Sequence, residues 1–234
     1  MLTARRSERS APPAPRVASV PAGPAGRAAR AAMRGLDVAA AAAGLLLLSP
    51  LLLAAAALVA LEDGRPVLYR QERSGRGGRR FALLKLRTMR RNDIPVDVLG
   101  PIGDDHPLVL RAGRLLRRFK VDELPQLVNV LRGDMSLVGP RPTVPEQVER
   151  YDAFERRRLF VRPGLTGWAQ VNGNTQLSWP DRILLDVWYV DHWSLWLDLR
   201  ILAKTVSVVL LGERPNVPAL DRALAHANGT GRRG

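Results

Sequence analysis

The chain has 234 residues, with 36 Lys and Arg against 22 Asp and Glu, three His and no Cys. This length accommodates one sizeable domain plus an anchor, and the formal net charge of +14 asks for an anionic partner: nucleic acid, lipid head groups or a phosphorylated substrate. The lack of cysteine excludes disulfides, thiolate catalysis and Cys-ligated zinc, and an aromatic fraction of 5% argues against single-strand nucleic-acid binding, which needs stacking platforms.

Residues 1–33 are mostly Ala, Pro, Arg and Ser, which predicts a disordered basic tail. Its arginines (Arg5, Arg6, Arg9, Arg16, Arg27 and Arg30) could touch anionic lipid. Residues 38–61 then carry no charge. As a helix this run is roughly 36 Å long, against about 30 Å for a bilayer core. It is too long for a cleavable signal peptide. Ser49-Pro50 stands at its centre. Proline removes a backbone donor, so a kink is expected there, with the Ser49 hydroxyl bonding a freed carbonyl. Arg30 and Arg34 precede the run; Arg65, Arg70, Arg73, Arg76, Arg79 and Arg80 follow it. The positive-inside rule therefore wants both ends on the cytoplasmic side. A re-entrant helix-break-helix satisfies that; a kinked single span does not, and remains the alternative.

Residues 66–71 and 81–89 read as two strands of a hairpin around a Gly/Arg turn at 74–80. The polar stretch 92–107 is a loop. Helices are expected over 108–119 (basic and amphipathic), 121–132, 144–160 and 181–211, with a glycine-rich loop at 163–174 and a frayed end. The last helical stretch carries Trp188, Tyr189, Trp193 and Trp196, suited either to a water–lipid boundary or to a packed core.

Three constellations carry chemistry. In Lys120-Val121-Asp122-Glu123-Leu124-Pro125-Gln126-Leu127, Asp122 is placed as an N-cap with Pro125 in the first turn. The helix dipole would lower both carboxyl pKa values. An ionised Asp122 is a plausible nucleophile towards phosphorus, and Glu123 could hold a divalent cation. The alternative is an ordinary helix start. In Gly139-Pro140-Arg141-Pro142, a stiffened Arg141 suits bidentate phosphate binding. In Arg162-Pro163-Gly164-Leu165-Thr166-Gly167-Trp168-Ala169-Gln170, a second stiff Arg precedes glycines that let backbone approach an anion. The histidines (His106, His192, His226) are scattered, so neither a zinc site nor a Ser-His-Asp triad is expected.

Taken in order, Lys85-Leu86-Arg87-Thr88-Met89, Asp122-Glu123-Leu124-Pro125-Gln126, Ser136-Leu137-Val138-Gly139-Pro140-Arg141-Pro142, Arg162-Pro163-Gly164-Leu165-Thr166-Gly167-Trp168, Asp186-Val187-Trp188-Tyr189-Val190 and Trp193-Ser194-Leu195-Trp196-Leu197-Asp198 resemble the bacterial sugar transferase family, the monotopic polyprenyl-phosphate phosphoglycosyl transferases, in their minimal form. The resemblance implies an α+β fold, mostly helical: a re-entrant helix-break-helix at 34–62 hinged at Ser49 and Pro50, a small β-hairpin and interfacial amphipathic helices in a catalytic domain at 63–214, and a flexible tail at 215–234. It implies Asp122 as nucleophile on a nucleotide diphosphate sugar, usually a UDP-sugar, with undecaprenyl phosphate as acceptor. It further implies Glu123 as ligand of Mg2+, and substrate or phosphate contacts from Lys85, Arg87, Arg141, Arg162, Gln170, Asp186 and Tyr189. The expected setting is the cytoplasmic face of the inner membrane, among anionic lipids and without nucleic acid; a homodimer is allowed for. A membrane-tethered binding module, or a scaffold that has lost catalysis, are the competing readings.

Overall fold

In the computed structural model, which describes residues 24–91, 103 and 105–229, the apolar run folds as two helices, α1 (Pro24–Leu47) and α2 (Ser49–Asp63). They meet at Leu48 with a bend of 60°. The cause is local. Pro50 has no amide hydrogen, so the Leu46 carbonyl loses its helical donor. The Ser49 hydroxyl takes the vacant place, donating to Leu46 O at 2.8 Å. The chain thus bends at the expected hinge. No single helix among the described residues is long and apolar enough to cross a membrane; the bent pair together has that length and composition.

The helix starts earlier than expected. Residues 24–33, assigned above to the disordered tail, form the first turns of α1, and 1–23 lie outside the described residues. Alanine-rich sequence favours helix here, and tertiary contacts hold it: Met33 is buried, and the Arg30 guanidinium lies 5.5 Å from the Trp193 ring centroid.

A hairpin follows, β1 (Leu68–Ser74) antiparallel to β2 (Arg80–Leu86), with Leu68 opposite Leu86 and Ser74 opposite Arg80. Next come α3 (Arg111–Arg118), a 3-10 turn (Val121–Glu123) and α4 (Gln126–Arg132). Then β3 (Ser136–Val138), α5 (Pro145–Glu149), a 3-10 stretch (Glu155–Phe160) and β4 (Gly164–Thr166) complete the middle of the chain. β3 and β4 pair in parallel, Ser136 opposite Gly164 and Val138 opposite Thr166. Three helices close the chain: α6 (Trp179–Asp191), α7 (Leu195–Leu211) and α8 (Val217–Gly229).

Four expectations change. The helix expected over 121–132 breaks into a 3-10 turn and α4, and that over 144–160 becomes a short helix and a 3-10 stretch. The long stretch 181–211 divides because Ser194 caps a new helix, its hydroxyl accepting from Leu197 N at 3.2 Å. The tail expected to be flexible from 215 contains α8, whose Ala219, Ala223 and Ala227 recur every four residues and are buried in the core. Most of the expected loop 92–107 lies outside the described residues.

α1 is amphipathic in an unusual sense. Met33, Asp37 and Ala41 form a buried stripe, and Gly44 brings the helix against Leu127 of α4. The other side leaves Leu46 and Leu47 about three-quarters exposed. Leu53 of α2 is similarly open, while Ala55 and Val59 pack with Leu86, Leu110, Leu116 and Val121. Polar groups fasten the end of α2 to the domain. The Glu62 carboxylate accepts from the amides of Arg111 (2.7 Å) and Ala112 (2.9 Å), capping α3 from a distance. Arg87 donates to Asp63 O and Gly64 O, both at 2.7 Å, satisfying the last carbonyls of α2. The packed-core reading of the aromatic cluster holds for some of its rings. Tyr189 is buried and Trp188 stacks on Trp168 with centroids 5.3 Å apart, whereas Trp196 is 70% exposed.

Candidate active site

Four of the expected residues converge: Lys85 from β2, Asp122 and Glu123 from the 3-10 turn, and Arg141 from the loop after β3. The turn is set by Lys120, whose φ of 56° is left-handed, a conformation costing of order 1–3 kcal/mol for a side-chain-bearing residue. Its ammonium lies 3.3 Å from the Glu213 carboxylate. That strain reverses the chain between α3 and α4.

Asp122 is not a cap, contrary to expectation. The amides of Glu123 and Leu124 bond back to the Lys120 and Val121 carbonyls, both at 3.2 Å, and Pro125 has no amide. The tight turn thus consumes the donors that a capping carboxylate would have used. Asp122 is left 7% exposed and accepts no hydrogen bond among the described residues. Burial pushes its pKa up, and the Glu123 charge adds to this; Lys85, Arg117 and Lys120 act the other way. The dipole-lowered carboxyl expected from sequence is therefore raised instead, because desolvation outweighs the dipole of a one-turn element.

Glu123 is the opposite case. Its Oε1 accepts from Lys85 Nζ at 3.0 Å and Arg141 Nη2 at 2.6 Å, and its Oε2 from Arg141 Nη1 at 3.3 Å. Burial alone would favour the neutral acid. The forked Arg141 pair and Lys85 outweigh it and hold the carboxyl well below its usual range.

Arg141 is fixed from behind. Arg73 Nη1 donates to Pro142 O at 3.3 Å, and the Ser74 amide to Thr143 O at 2.8 Å, so the end of β1 grips the Pro-Arg-Pro loop. Arg158 Nη2 donates to Arg141 O at 2.9 Å. Arg158 pairs in turn with Asp186 at 2.5 Å and with the Tyr151 hydroxyl at 2.6 Å. Burial disfavours the Arg158 charge, but Asp186 and Tyr151 more than offset this. Arg73, half-buried and close to the Arg141 charge, has its pKa pushed down to about 10 by desolvation and then by that charge.

The remaining expected contacts lie elsewhere. Arg87 is buried at the end of α2. Arg162 sits at the far end of β4, its Nε donating to Gly133 O at 3.0 Å. Gln170 is buried, donating to Leu165 O at 3.0 Å, and Tyr189 donates to Asp198 Oδ1 at 2.7 Å. Asp186 reaches the site only through Arg158. The glycines of 163–174 do not form an open anion cradle. A Cβ on Gly164 would collide with the Gly139 backbone, so these positions let β3 and β4 touch. Sequence reasoning missed Arg73, Arg158 and Glu213; the last also accepts from Asn174 Nδ2 at 2.7 Å.

This arrangement, a buried unbonded carboxylate beside an ion-paired one and several cations, coincides with a sequence match over most of the chain. The family model described as bacterial sugar transferase matches residues 28–212. The chain belongs to the bacterial sugar transferase family. It is 48% identical over 157 residues to the uncharacterized sugar transferase EpsL of Bacillus subtilis, covering 67% of this chain and 76% of that one. It is 47% identical over 186 residues to the UDP-glucose:undecaprenyl-phosphate glucose-1-phosphate transferase of Caulobacter vibrioides, covering 76% and 69%. It is 42% identical over 192 residues to the exopolysaccharide production protein ExoY of Rhizobium meliloti, covering 76% and 85%. The chain spans only 34–36% of the length of several longer relatives. As a bacterial sugar transferase it is an enzyme of the transferase class.

Proposed function

We propose that this sugar transferase moves a sugar-1-phosphate from a nucleotide diphosphate sugar, a UDP-sugar, to undecaprenyl phosphate at the cytoplasmic face of the inner membrane. The observation that carries the reading is Asp122: a carboxylate without hydrogen bonds among the described residues, in the field of Lys85, Arg117 and Lys120 and next to a Glu123–Arg141 pair. In the first step an Asp122 oxygen attacks the phosphorus bound to the sugar. The bond from that phosphorus to the bridging oxygen breaks, and UMP leaves with the oxygen, giving a phosphosugar-Asp122 ester. In the second step an oxygen of the lipid phosphate attacks the same phosphorus. The acyl phosphate bond breaks, Asp122 returns as carboxylate, and a polyprenyl diphosphate sugar forms. Lys85 and Arg141 screen phosphate charge from the incoming carboxylate. The glucose-1-phosphate transferase activity for which the Caulobacter relative is named and the exopolysaccharide role of ExoY support placing the step at the start of surface glycan assembly, whether exopolysaccharide, capsule or O-antigen.

Magnesium belongs to this proposal. No group of three or more acidic or imidazole side chains gathers among the described residues, but two adjacent carboxylates suit an ion that takes its other ligands from diphosphate and water. Glu123 would hold it, with Asp122 alongside, and the metal would neutralise phosphate charge. For the membrane, the bent anchor is joined by α7, which leaves Trp196, Val206, Leu210 and Leu211 at least 60% exposed.

The test is chemical. Incubated with a panel of UDP-sugars, the intact chain should gain the mass of one sugar phosphate, mapped to Asp122, with matching UMP release. Release of UMP without an adduct would remove the covalent step. Chelation by EDTA should stop turnover; unchanged rates would remove the metal. Tags at residues 5 and 230 reporting opposite faces would overturn the re-entrant topology.

A further inference from the structure

At the end of β3 and β4 away from Arg141 lies a cleft of about 120 Å³, bordered by Arg30, Arg34, Arg76 and Arg162. Its floor carries Asp37 and Asp198, so cations outnumber anions by two. Both acids are engaged. The Asp37 carboxylate accepts from the Leu137 amide at 2.8 Å and the Ser136 hydroxyl at 2.9 Å. The Asp198 carboxylate accepts from the Tyr189 hydroxyl at 2.7 Å and Trp193 Nε1 at 2.9 Å. The Arg34 guanidinium lies 3.9 Å from the Asp37 carboxylate, and backbone carbonyls hold the arginines in place. Arg34 donates to Val130 O at 2.7 Å, Arg162 to Gly133 O at 3.0 Å and Arg76 Nε to Phe160 O at 3.1 Å. The outer nitrogens of Arg76 and Arg162 have no protein partner among the described residues. Burial, with the Arg34 and Arg76 charges beside it, lowers the Arg162 pKa. Like charges held together by carbonyls, with free donors between them, form a site that an anion completes.

Size and position identify the anion. The cleft has less than half of the roughly 300 Å³ or more that a drug-sized ligand fills, so a whole nucleotide sugar does not fit within it. A single phosphate group does. Arg30, Arg34 and Asp37 occupy the two turns of α1 immediately before the uncharged run, so the cleft lies at head-group depth if the run enters lipid. We infer that Arg34, Arg76 and Arg162 form a phosphate-binding site, separate from Asp122, that takes the head-group phosphate of an anionic phospholipid. This rests on the membrane placement proposed above and not on the transfer chemistry.

The full chain in nanodiscs of phosphatidylcholine, with and without phosphatidylglycerol, provides the test, read by native mass spectrometry of retained lipid. Wild type should retain phosphatidylglycerol, and Arg76→Gln should weaken retention about tenfold, as loss of one charge-assisted contact implies. Arg79→Gln, an exposed arginine of the same turn outside the cleft, should leave retention unchanged. Equal losses in both variants would overturn the site in favour of diffuse charge attraction. A parallel titration of inorganic phosphate, followed by thermal shift in detergent, separates the sources. If phosphate stabilises wild type but not Arg76→Gln, while lipid retention ignores the substitution, the lipid assignment is overturned. Adduct formation on Asp122 reports the transferase reading independently, because Arg76→Gln leaves that carboxylate untouched.

Discussion

Arg141 lies between two carboxylate–guanidinium pairs that differ in almost every physical respect. On its side-chain side it pairs with Glu123, where the two side chains are 40% and 14% exposed. On its backbone side its carbonyl is held by Arg158, which pairs with Asp186, both side chains 2% exposed. The outer pair sits among surplus cations, Lys85 and Arg73, and beside the unbonded Asp122. The inner pair is closed, and its guanidinium is held further by the Tyr151 hydroxyl and the Arg141 carbonyl. Water access and unbalanced charge let the first pair receive a ligand; dryness and balance let the second hold a loop in place.

The largest effect should come from the open side. Asp122→Asn should lower UMP release by at least ~1000-fold, since the amide cannot form the ester, while circular dichroism stays unchanged. Activity within tenfold of wild type would break the division of labour between the two regions.

On the closed side the same kind of substitution should act on the fold. Asp186→Asn strands the buried Arg158 charge and should cost about 3–5 kcal/mol in unfolding experiments. Replacing both partners, Arg158→Met with Asp186→Leu, should recover much of that loss, because no charge then remains buried. If the double variant is no more stable than the single ones, ion pairing is not what holds this region. Arg141→Lys comes next. It keeps the charge but loses the fork on Glu123, and should reduce kcat/KM by roughly 10- to 100-fold at little cost in stability.

The contrast also explains what was legible in the sequence. The hinge was readable because a proline's missing amide acts on its own helix, and the hairpin because two strand-like runs flank a Gly/Arg turn. Asp122, Glu123, Lys85 and Arg141 stood out as charged residues inside stiff or apolar surroundings. Arg158 did not, since Arg156, Arg157 and Arg158 in a row look like a solvated face, and only the packing of α6 shows which of them is buried. Asp186 and Arg162 were singled out, but their partners lie 28 and 29 positions away, in Arg158 and Gly133. A sequence pattern marks such a residue without saying whether it meets substrate or scaffold. The tail at 215–234 was misread for a related reason: α8 has few large apolar residues, and its stability comes from three alanines that fit close to α6. Asp122 was misplaced as a cap because the choice between a 3-10 turn and an α-helical first turn depends on Lys120 adopting a left-handed backbone, which its residue type does not favour.

The smallest effect is the most discriminating, because it sets two Asp-to-Asn changes against each other in sign. Asp122 has a raised pKa in the fold, caused by burial and then by Glu123. A carboxyl whose folded pKa exceeds its unfolded one binds its proton more tightly when folded. Its favourable contribution is therefore present at acid pH and lost as pH rises through the window between the two values. At pH 7 the ionised Asp122 is a net cost, which asparagine removes. Asp122→Asn should thus raise Tm at pH 7, by roughly 2–4 °C for each kcal/mol relieved in a domain of this size. The gain should shrink as pH falls towards the ordinary carboxylate range, where wild type is protonated as well. Asp186→Asn should lower Tm at the same pH although burial raises the Asp186 pKa as well, because its loss leaves the Arg158 guanidinium buried without its counter-charge. A nucleophile kept at a cost to stability and a buried brace that supplies stability would then be distinguished by calorimetry alone; a fall in Tm for both variants would mean that Asp122, like Asp186, is held by the fold for structural reasons.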